Sequence, residues 1–216
     1  GGPRTAVLAN LLESAGVRVA GVMLQSPAMN YNSNCGVFNP GELSCEGYIP
    51  SYAAVSAYHQ NGSLPTDFSS VLQRAREFAA GAYRSEVGAF LASGTPPSDA
   101  SVTQLATYTG LTALTWRQDF SMTPGAYRAR LLPGQMIGRY DARVRAPSGS
   151  ALAAGGDPSL TLIGSAFSNA IRTYLETELR YTASTPYLGS NNVLNLWNFS
   201  HDGRALPDTI PDLAAA

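Results

Sequence analysis

Apolar residues near the start of the chain recur every three or four positions. This spacing predicts an α-helix over residues 4–15, one face of which carries Val7, Leu8, Leu11, Leu12 and Ala15. Gly16 follows the last of these positions, and glycine adopts positive φ angles without a steric penalty. The sequence therefore predicts that the helix ends at Gly16.

Residues 17–24 are apolar and rich in β-branched side chains, with little polar alternation. Such a run is typical of a strand that is covered on both faces. A helix followed by such a strand is the second half of a βαβ unit, whose first strand would precede residue 1. We therefore predict the α/β class, with one helix–strand piece of a parallel core sheet.

Residues 67–91 keep the helical spacing of apolar positions for about seven turns. Asp67 is the predicted cap of this helix, and the sequence after Gly94 breaks it. Ser98 or Asp99 then caps a further helix that ends at Gly110, and Thr123 and Pro124 begin another. The middle of the chain is therefore predicted to be mainly helical.

Residues 135–145 are predicted to be extended, which would place Arg139, Asp141 and Arg143 on one face of a strand. Two interpretations remain open. The arginines could clamp a substrate carboxylate, because guanidinium groups suit that task. Alternatively, the three residues form a charged ladder that holds two parts of the protein together, and we favour this second interpretation.

Asp157 and Pro158 are typical of a helix start, and apolar spacing continues from there to about residue 180. The predicted buried face carries Ile163, Phe167, Ile171, Tyr174, Leu175 and Leu179. Residues 209–216 are predicted to open a last helix.

Charge and composition exclude several function classes. The formal net charge is -1, and all 14 basic residues are arginines against 15 acidic ones. Because the charge is low and balanced, we expect neither a nucleic-acid partner nor attraction to an anionic membrane. No apolar run approaches the roughly 20 residues that span a bilayer.

Cys35 and Cys45 are the only cysteines, and they flank a loop rich in Asn, Gly and Pro. Two cysteines without a third cysteine or a nearby histidine make a poor zinc site, so we expect no metal. A disulfide and two free thiols remain as interpretations. We favour the disulfide, which implies an oxidising compartment, either extracellular or periplasmic.

Two stretches of the chain resemble the serine carboxypeptidases, a family of α/β-hydrolases. The opening GGPRTAVLANLL is similar to the sequence that follows the family's nucleophile elbow, and Gly1 and Gly2 match the last two elbow glycines. The stretch LLPGQMIGRYDAR, with the helices before it, resembles the lid of the bacterial members. Together the two matches cover most of residues 1–145.

The resemblance implies an α/β-hydrolase fold fragment with a mostly α-helical lid. Residues 1–30 would belong to the core, residues 31–205 to the lid, and residues 206–216 to the return into the core. The intact protein would release C-terminal amino acids from a peptide substrate through an acyl-enzyme, without a cofactor.

The resemblance also implies where the catalytic groups lie. The nucleophile is expected two positions before Gly1, and the acid and the histidine are expected after Ala216. The 216-residue chain alone is therefore predicted to be inactive.

Two alternatives to the peptidase remain. Plant relatives of the family are acyltransferases, so an esterase or acyltransferase on the same fold is the first alternative. A non-catalytic binding protein is the second alternative.

Four residues are predicted as substrate contacts besides the two arginines. Asn30 and Tyr31 follow the predicted strand, and ligands of open α/β sheets bind beyond the carboxyl ends of strands. Tyr48 and Tyr52 lie in a YIPSYAA stretch that resembles the family's entry to the lid, where they could line a side-chain pocket. Turn formation for the first pair and simple packing for the second are the competing interpretations.

The two histidines of the chain are candidates for a catalytic base. In α/β-hydrolases the histidine follows the acid near the end of the chain. His59 comes too early, and His201 lies in a turn that lacks the family's Gly-His sequence. We therefore assign neither a catalytic role.

Overall fold

The structure is a computed structural model that describes residues 2–25, 27–29, 35, 44–185, 187 and 209–216. The chain divides into two compact units, residues 1–43 with 192–216, and residues 44–191. The second unit falls within the predicted lid, residues 31–205.

The described residues contain nine α-helices and two short strands. These elements are α1 (Gly2–Ser14), α2 (Ile49–Asn61), α3 (Phe68–Phe78), α4 (Arg84–Ser93), α5 (Asp99–Thr109), α6 (Ala113–Gln118), α7 (Pro124–Arg130), β1 (Gln135–Ile137), β2 (Arg145–Pro147), α8 (Pro158–Thr177) and α9 (Ile210–Ala215). A π-helical turn, Ala79–Tyr83, joins α3 to α4, and 3₁₀ turns lie at Glu46–Tyr48 and Ala151–Ala153.

The first unit contains α1 and α9. Helix α1 confirms the predicted helix, and Gly16 has the predicted positive φ of 78°. The Asn10 side-chain amide donates a 2.9 Å hydrogen bond to Asp212 in α9. Thr209, just before α9, donates from its backbone amide and its hydroxyl to the carbonyl oxygen of Met29.

The predicted α/β class with a parallel core sheet is wrong. Among the described residues, the only sheet has two antiparallel strands, β1 and β2. Residues 17–24 form no strand, and Met23 is 93% exposed. A parallel strand needs neighbours to pair its backbone groups, and apolar β-branched composition alone does not supply them.

The second unit is built around a core of aromatic side chains. Tyr52, Tyr83, Trp116, Phe120 and Tyr127 are all at most 3% exposed. The rings of Tyr52 and Tyr127 stack with centroids 4.1 Å apart. Because aromatic side chains bury more area than aliphatic ones, these five rings contribute strongly to the stability of the unit.

Every phenol in this core is hydrogen-bonded to a backbone carbonyl. The Tyr52 hydroxyl donates to Met122, the Tyr83 hydroxyl donates to Phe120, and the Tyr127 hydroxyl is within reach of the carbonyls of Tyr52 and Thr109. Burial raises the pKa of all three phenols. They therefore remain protonated donors that tie helices and connections together.

The predicted helix boundaries of the second unit are largely confirmed. Ser98 and Thr123 accept hydrogen bonds from the backbone amides of Ser101 and Ala126 at the starts of α5 and α7. Gly94 and Gly110 end α4 and α5 with positive φ. The predicted side-chain cap at Asp67 is not formed.

Gly110, which follows α5, lies against side chains of α2. A Cβ atom at Gly110 would lie 2.6 Å from the Ser56 hydroxyl and 2.9 Å from Nε2 of Gln60. With a φ of 72° as well, this position favours glycine on two independent grounds.

Helix α8 begins as predicted but is not buried as predicted. Asp157 caps it and Pro158 is its first residue. Four of the predicted core side chains are 43% to 57% exposed, namely Ile163, Phe167, Tyr174 and Leu179. The helical period shows which side chains share a face, but it does not show whether another element covers that face.

Candidate functional site

The GRYDAR sequence occupies residues 138–143, in the loop that joins β1 to β2. The strands pair with Ile137 opposite Arg145, and the Gly138 amide donates a 2.8 Å hydrogen bond to the Val144 carbonyl. The prediction of one continuous strand over residues 135–145 is therefore wrong. A hairpin forms instead, and we name residues 138–144 the arginine loop.

The start of α8 holds the arginine loop in place. Oδ1 of Asp157 accepts hydrogen bonds from the Arg139 amide and from the amide and hydroxyl of Ser159. The Ser159 oxygen in turn accepts from the amides of Tyr140 and Asp141, each at 3.2 Å. Three consecutive loop amides are thus bound by two side chains of another element, which fixes the loop backbone.

Close packing at Gly138 reinforces this attachment. A Cβ atom there would overlap the Asp141 carbonyl and would lie 2.7 Å from Cβ of Ser159. Only glycine therefore lets the loop rest on α8 at this point.

Asp157 is held in its charged form. Burial works to raise the pKa of its carboxyl, but the hydrogen bonds from the Ser159 hydroxyl and from the backbone amides outweigh burial and lower it. Its other oxygen, Oδ2, is buried and has no hydrogen-bond partner among the described residues.

Arg143, one of the two predicted clamp arginines, is paired within the loop. Its Nε lies 2.9 Å from Oδ1 of Asp141, and its Nη2 lies 2.6 Å from Oδ2. Hydrogen bonds from Arg143 lower the pKa of the Asp141 carboxyl to about 2. This bidentate pair neutralises the charge of Arg143.

Arg139, the other predicted clamp arginine, differs in its surroundings. Its side chain is exposed, and its guanidinium carbon lies 5.7 Å from the ring centre of Tyr140. Within the part of the chain that the structure describes, no carboxylate lies at ion-pair distance from Arg139. The predicted ladder of Arg139, Asp141 and Arg143 is thus reduced to the pair of Asp141 with Arg143.

Arg128 in α7 lies behind the loop, and sequence reasoning missed it. Its Nε donates to the Ile137 carbonyl at 2.8 Å, and its Nη2 donates to the Gly156 carbonyl at 2.7 Å. Burial lowers the pKa of Arg128, the charge of Arg139 lowers it further, and the charge of Asp157 opposes both. The guanidinium groups of Arg128 and Arg139 therefore repel each other, and the buried carboxylate of Asp157 attracts Arg128.

His59 contacts the arginine loop at Ala142. Its Nε2 lies 2.8 Å from the Ala142 carbonyl oxygen, to which it donates when protonated at that nitrogen. The ring also packs edge-on against Tyr58, with centroids 5.3 Å apart. The structure thus gives His59 a positioning contact at the end of α2.

Tyr48 and Tyr52, the predicted pocket residues, occupy different environments. Tyr48 is 40% exposed, whereas Tyr52 is buried in the aromatic core. Their rings stack with centroids 6.3 Å apart. Tyr52 has a packing role in this arrangement, and Tyr48 is accessible to a ligand.

Several other residues of the sequence predictions fall outside the described residues, namely Gly1, Asn30, Tyr31 and His201. Gly2 is described as the first residue of α1, where Pro27 leaves no space for a side chain. The contact with Pro27 therefore explains a glycine at position 2 by packing alone, and its predicted role in a nucleophile elbow stays a prediction.

Ala216 is the residue after which the sequence resemblance places the acid and the histidine. It follows α9 directly, and its backbone amide donates a 3.1 Å hydrogen bond to the carbonyl oxygen of Asp212. The predicted last helix is therefore confirmed as Ile210–Ala215, and the positions of the acid and the histidine stay a prediction.

Cys35 and Cys45 form the predicted disulfide. This bond is compatible with an oxidising compartment. Within the described residues, no three His, Cys, Asp or Glu side chains gather as a metal site would require. No described helix combines the length and apolar character of a membrane span.

A groove of about 530 Å³ lies along the second half of α8, and sequence reasoning missed it. Its apolar walls come from Phe167, Ile171, Leu175, Tyr181 and Tyr187. The ring of Phe167 lies 5.8 Å from that of Tyr187. The only sequence signal was the apolar face of α8, which predicted burial rather than an open groove.

Comparison with known proteins identified no matching family model, no similar curated protein and no similar solved structure.

Proposed function

We propose that this chain is the substrate-selecting part of a serine carboxypeptidase-like hydrolase. The intact protein removes C-terminal amino acids from peptides through an acyl-enzyme. Its serine would lie two positions before Gly1, and its acid and histidine after Ala216. The second unit would act as the lid that selects the substrate.

The observation that carries the proposal is the rigid attachment of the arginine loop. This loop has one of the two sequences that resemble the serine carboxypeptidases, and its backbone is bound by Asp157, Ser159 and His59. A specificity element needs such support, because a misplacement of about 1 Å at a reacting centre can lower the rate about 100-fold.

The aromatic core supports the same proposal. The hydroxyls of Tyr52, Tyr83 and Tyr127 bond to backbone carbonyls, so the helices that bear the loop are fixed relative to one another within the second unit. A mainly helical second unit is also what the resemblance implied for a lid. The disulfide is compatible with the extracellular or periplasmic location that we propose.

The test uses the product of the full coding region and an N-blocked dipeptide with a free carboxylate. We expect release of the C-terminal amino acid, and loss of that release after treatment with a fluorophosphonate that modifies active serines. The 216-residue chain by itself serves as the control and is expected to show no turnover. If the full-length product cleaves an ester but no peptide, the protein is an esterase or acyltransferase rather than a carboxypeptidase.

A protein that binds peptides without cleaving them is the second candidate. The apolar groove along α8 favours it, because Tyr181 and Tyr187 offer accessible aromatic surface for a peptide side chain. Binding of a blocked dipeptide by the full-length product without any turnover would select this candidate.

A further inference from the structure

We propose that Arg139, with Arg128 behind it, binds the terminal carboxylate of a peptide. The inference rests on the proposed function for the identity of the ligand. The sequence suggested Arg139 and Arg143 as the clamp for a substrate carboxylate. We assign that role to Arg139 and Arg128 instead.

Charge distinguishes the two arginines of the loop. Arg143 makes a bidentate ion pair with Asp141, so its positive charge is already compensated within the loop. Arg139 has no such partner among the described residues, and its guanidinium group is exposed. A carboxylate ligand would therefore meet the charge of Arg139 rather than that of Arg143.

Arg128 makes the surroundings of Arg139 more positive. It donates to two carbonyl oxygens, which are neutral acceptors, and the Asp157 carboxylate compensates part of its charge. The nearby Asp157 carboxylate is buried and uses Oδ1 to hold the loop. The other nearby carboxylate, Asp141, is paired with Arg143, so Arg139 and Arg128 are left without a bidentate carboxylate partner among the described residues.

The loop also keeps Arg139 in place before a ligand arrives. The amides of Arg139, Tyr140 and Asp141 are all bound to the start of α8. Affinity is gained when the binding residues do not have to be ordered on association.

Tyr140 supplies an apolar surface beside the charge. It is 71% exposed, and its ring lies 5.7 Å from the guanidinium carbon of Arg139. A C-terminal amino acid with an apolar side chain presents the matching combination of a carboxylate and apolar surface. The site therefore fits the end of a peptide better than a free inorganic anion.

The experiment compares the binding of N-acetyl-Phe-Leu with that of its C-terminal amide to the 216-residue chain. Calorimetry at low ionic strength is suitable, because salt screens exposed charges. We expect the free acid to bind at least about tenfold more tightly than the amide. Arg139→Gln is expected to abolish this difference, and Arg139→Lys to restore part of it, because lysine keeps the charge without the planar fork.

Arg145→Gln is the matched control, because Arg145 is an exposed arginine on the adjoining strand β2. It is expected to leave the difference between acid and amide unchanged. An unchanged difference in Arg139→Gln, or equal binding of acid and amide by the unaltered chain, would overturn the inference. Circular dichroism of each variant establishes that the fold is retained.

Failure of the inference is separable from failure of the proposed function. If binding depends on Arg139 but the full-length product releases no amino acid, the carboxylate site is confirmed and the proposed peptidase function is wrong. If the full-length product releases amino acids and Arg139→Gln binds the free acid normally, the peptidase stands and the carboxylate site does not.

Discussion

The backbone amide of Arg139 donates a 2.9 Å hydrogen bond to the carboxylate of Asp157, which lies 18 residues further along the chain. The same carboxylate oxygen caps α8. One side chain therefore both starts a helix and holds the arginine loop on it, so its loss should affect stability and loop position together.

Asp157→Ala is expected to lower the free energy of unfolding by about 2 kcal/mol. The helix loses its cap, and the amide of Arg139 loses its acceptor. Urea denaturation followed by circular dichroism measures the change. Asp67→Ala is the control, because Asp67 precedes α3 without a side-chain cap bond, and we expect a change within about 0.5 kcal/mol. Equal losses in both variants would contradict the role of Asp157.

The Asp141 carboxyl is expected to titrate near pH 2. Its folded-state pKa of about 2 lies below the ordinary value of about 3.9, because Arg143 donates to both oxygens. The ion pair therefore stabilises the fold fully above about pH 4, and this contribution is lost as the pH falls toward 2. Carbon-detected NMR of the carboxyl group gives the pKa directly.

Arg143→Gln should raise the pKa of Asp141 toward its ordinary value. Arg145→Gln should leave it unchanged, which separates the paired arginine from the general positive charge of the hairpin. A pKa for Asp141 that does not respond to Arg143→Gln would show that the pair does not form in solution.

Tyr127→Phe is expected to lower the free energy of unfolding by about 1–2 kcal/mol. The hydroxyl is buried, and the carbonyl oxygens of Tyr52 and Thr109 lose a donor with it. Tyr140→Phe makes the same chemical change at an exposed ring, and we expect an effect within about 0.5 kcal/mol. If the two variants unfold at the same urea concentration, the Tyr127 hydroxyl does not hold the core.

Features that depend on a few neighbouring residues were predictable from the sequence. The caps at Ser98, Thr123 and Asp157 each bond to amides two or three residues away, so their signals are local. The helix ends at Gly16, Gly94 and Gly110 are local in the same sense.

Features that depend on a distant partner were not predictable. The apolar run over residues 17–24 indicated a strand, but pairing requires a neighbour that composition does not reveal. The apolar face of α8 indicated burial, but burial requires an element that covers the face, and the helical period does not reveal one. In the arginine loop, the hydrogen bonds to Ser159 join residues 18 and 19 positions apart, and no pattern in the sequence marks them.

Substitution of Gly110 tests whether α5 and α2 pack as closely as the structure shows. Gly110→Ala forces alanine into the left-handed backbone conformation of Gly110. It also places the new Cβ atom against Ser56 and Gln60. Gly62→Ala introduces the same strain at a φ of 70°, but nothing lies within 4 Å of its Cβ. Strain alone costs about 1–2 kcal/mol per residue, so we expect that loss for Gly62→Ala and a larger loss for Gly110→Ala. Urea denaturation of the two variants measures the difference, and equal losses would mean that the two helices are further apart in solution.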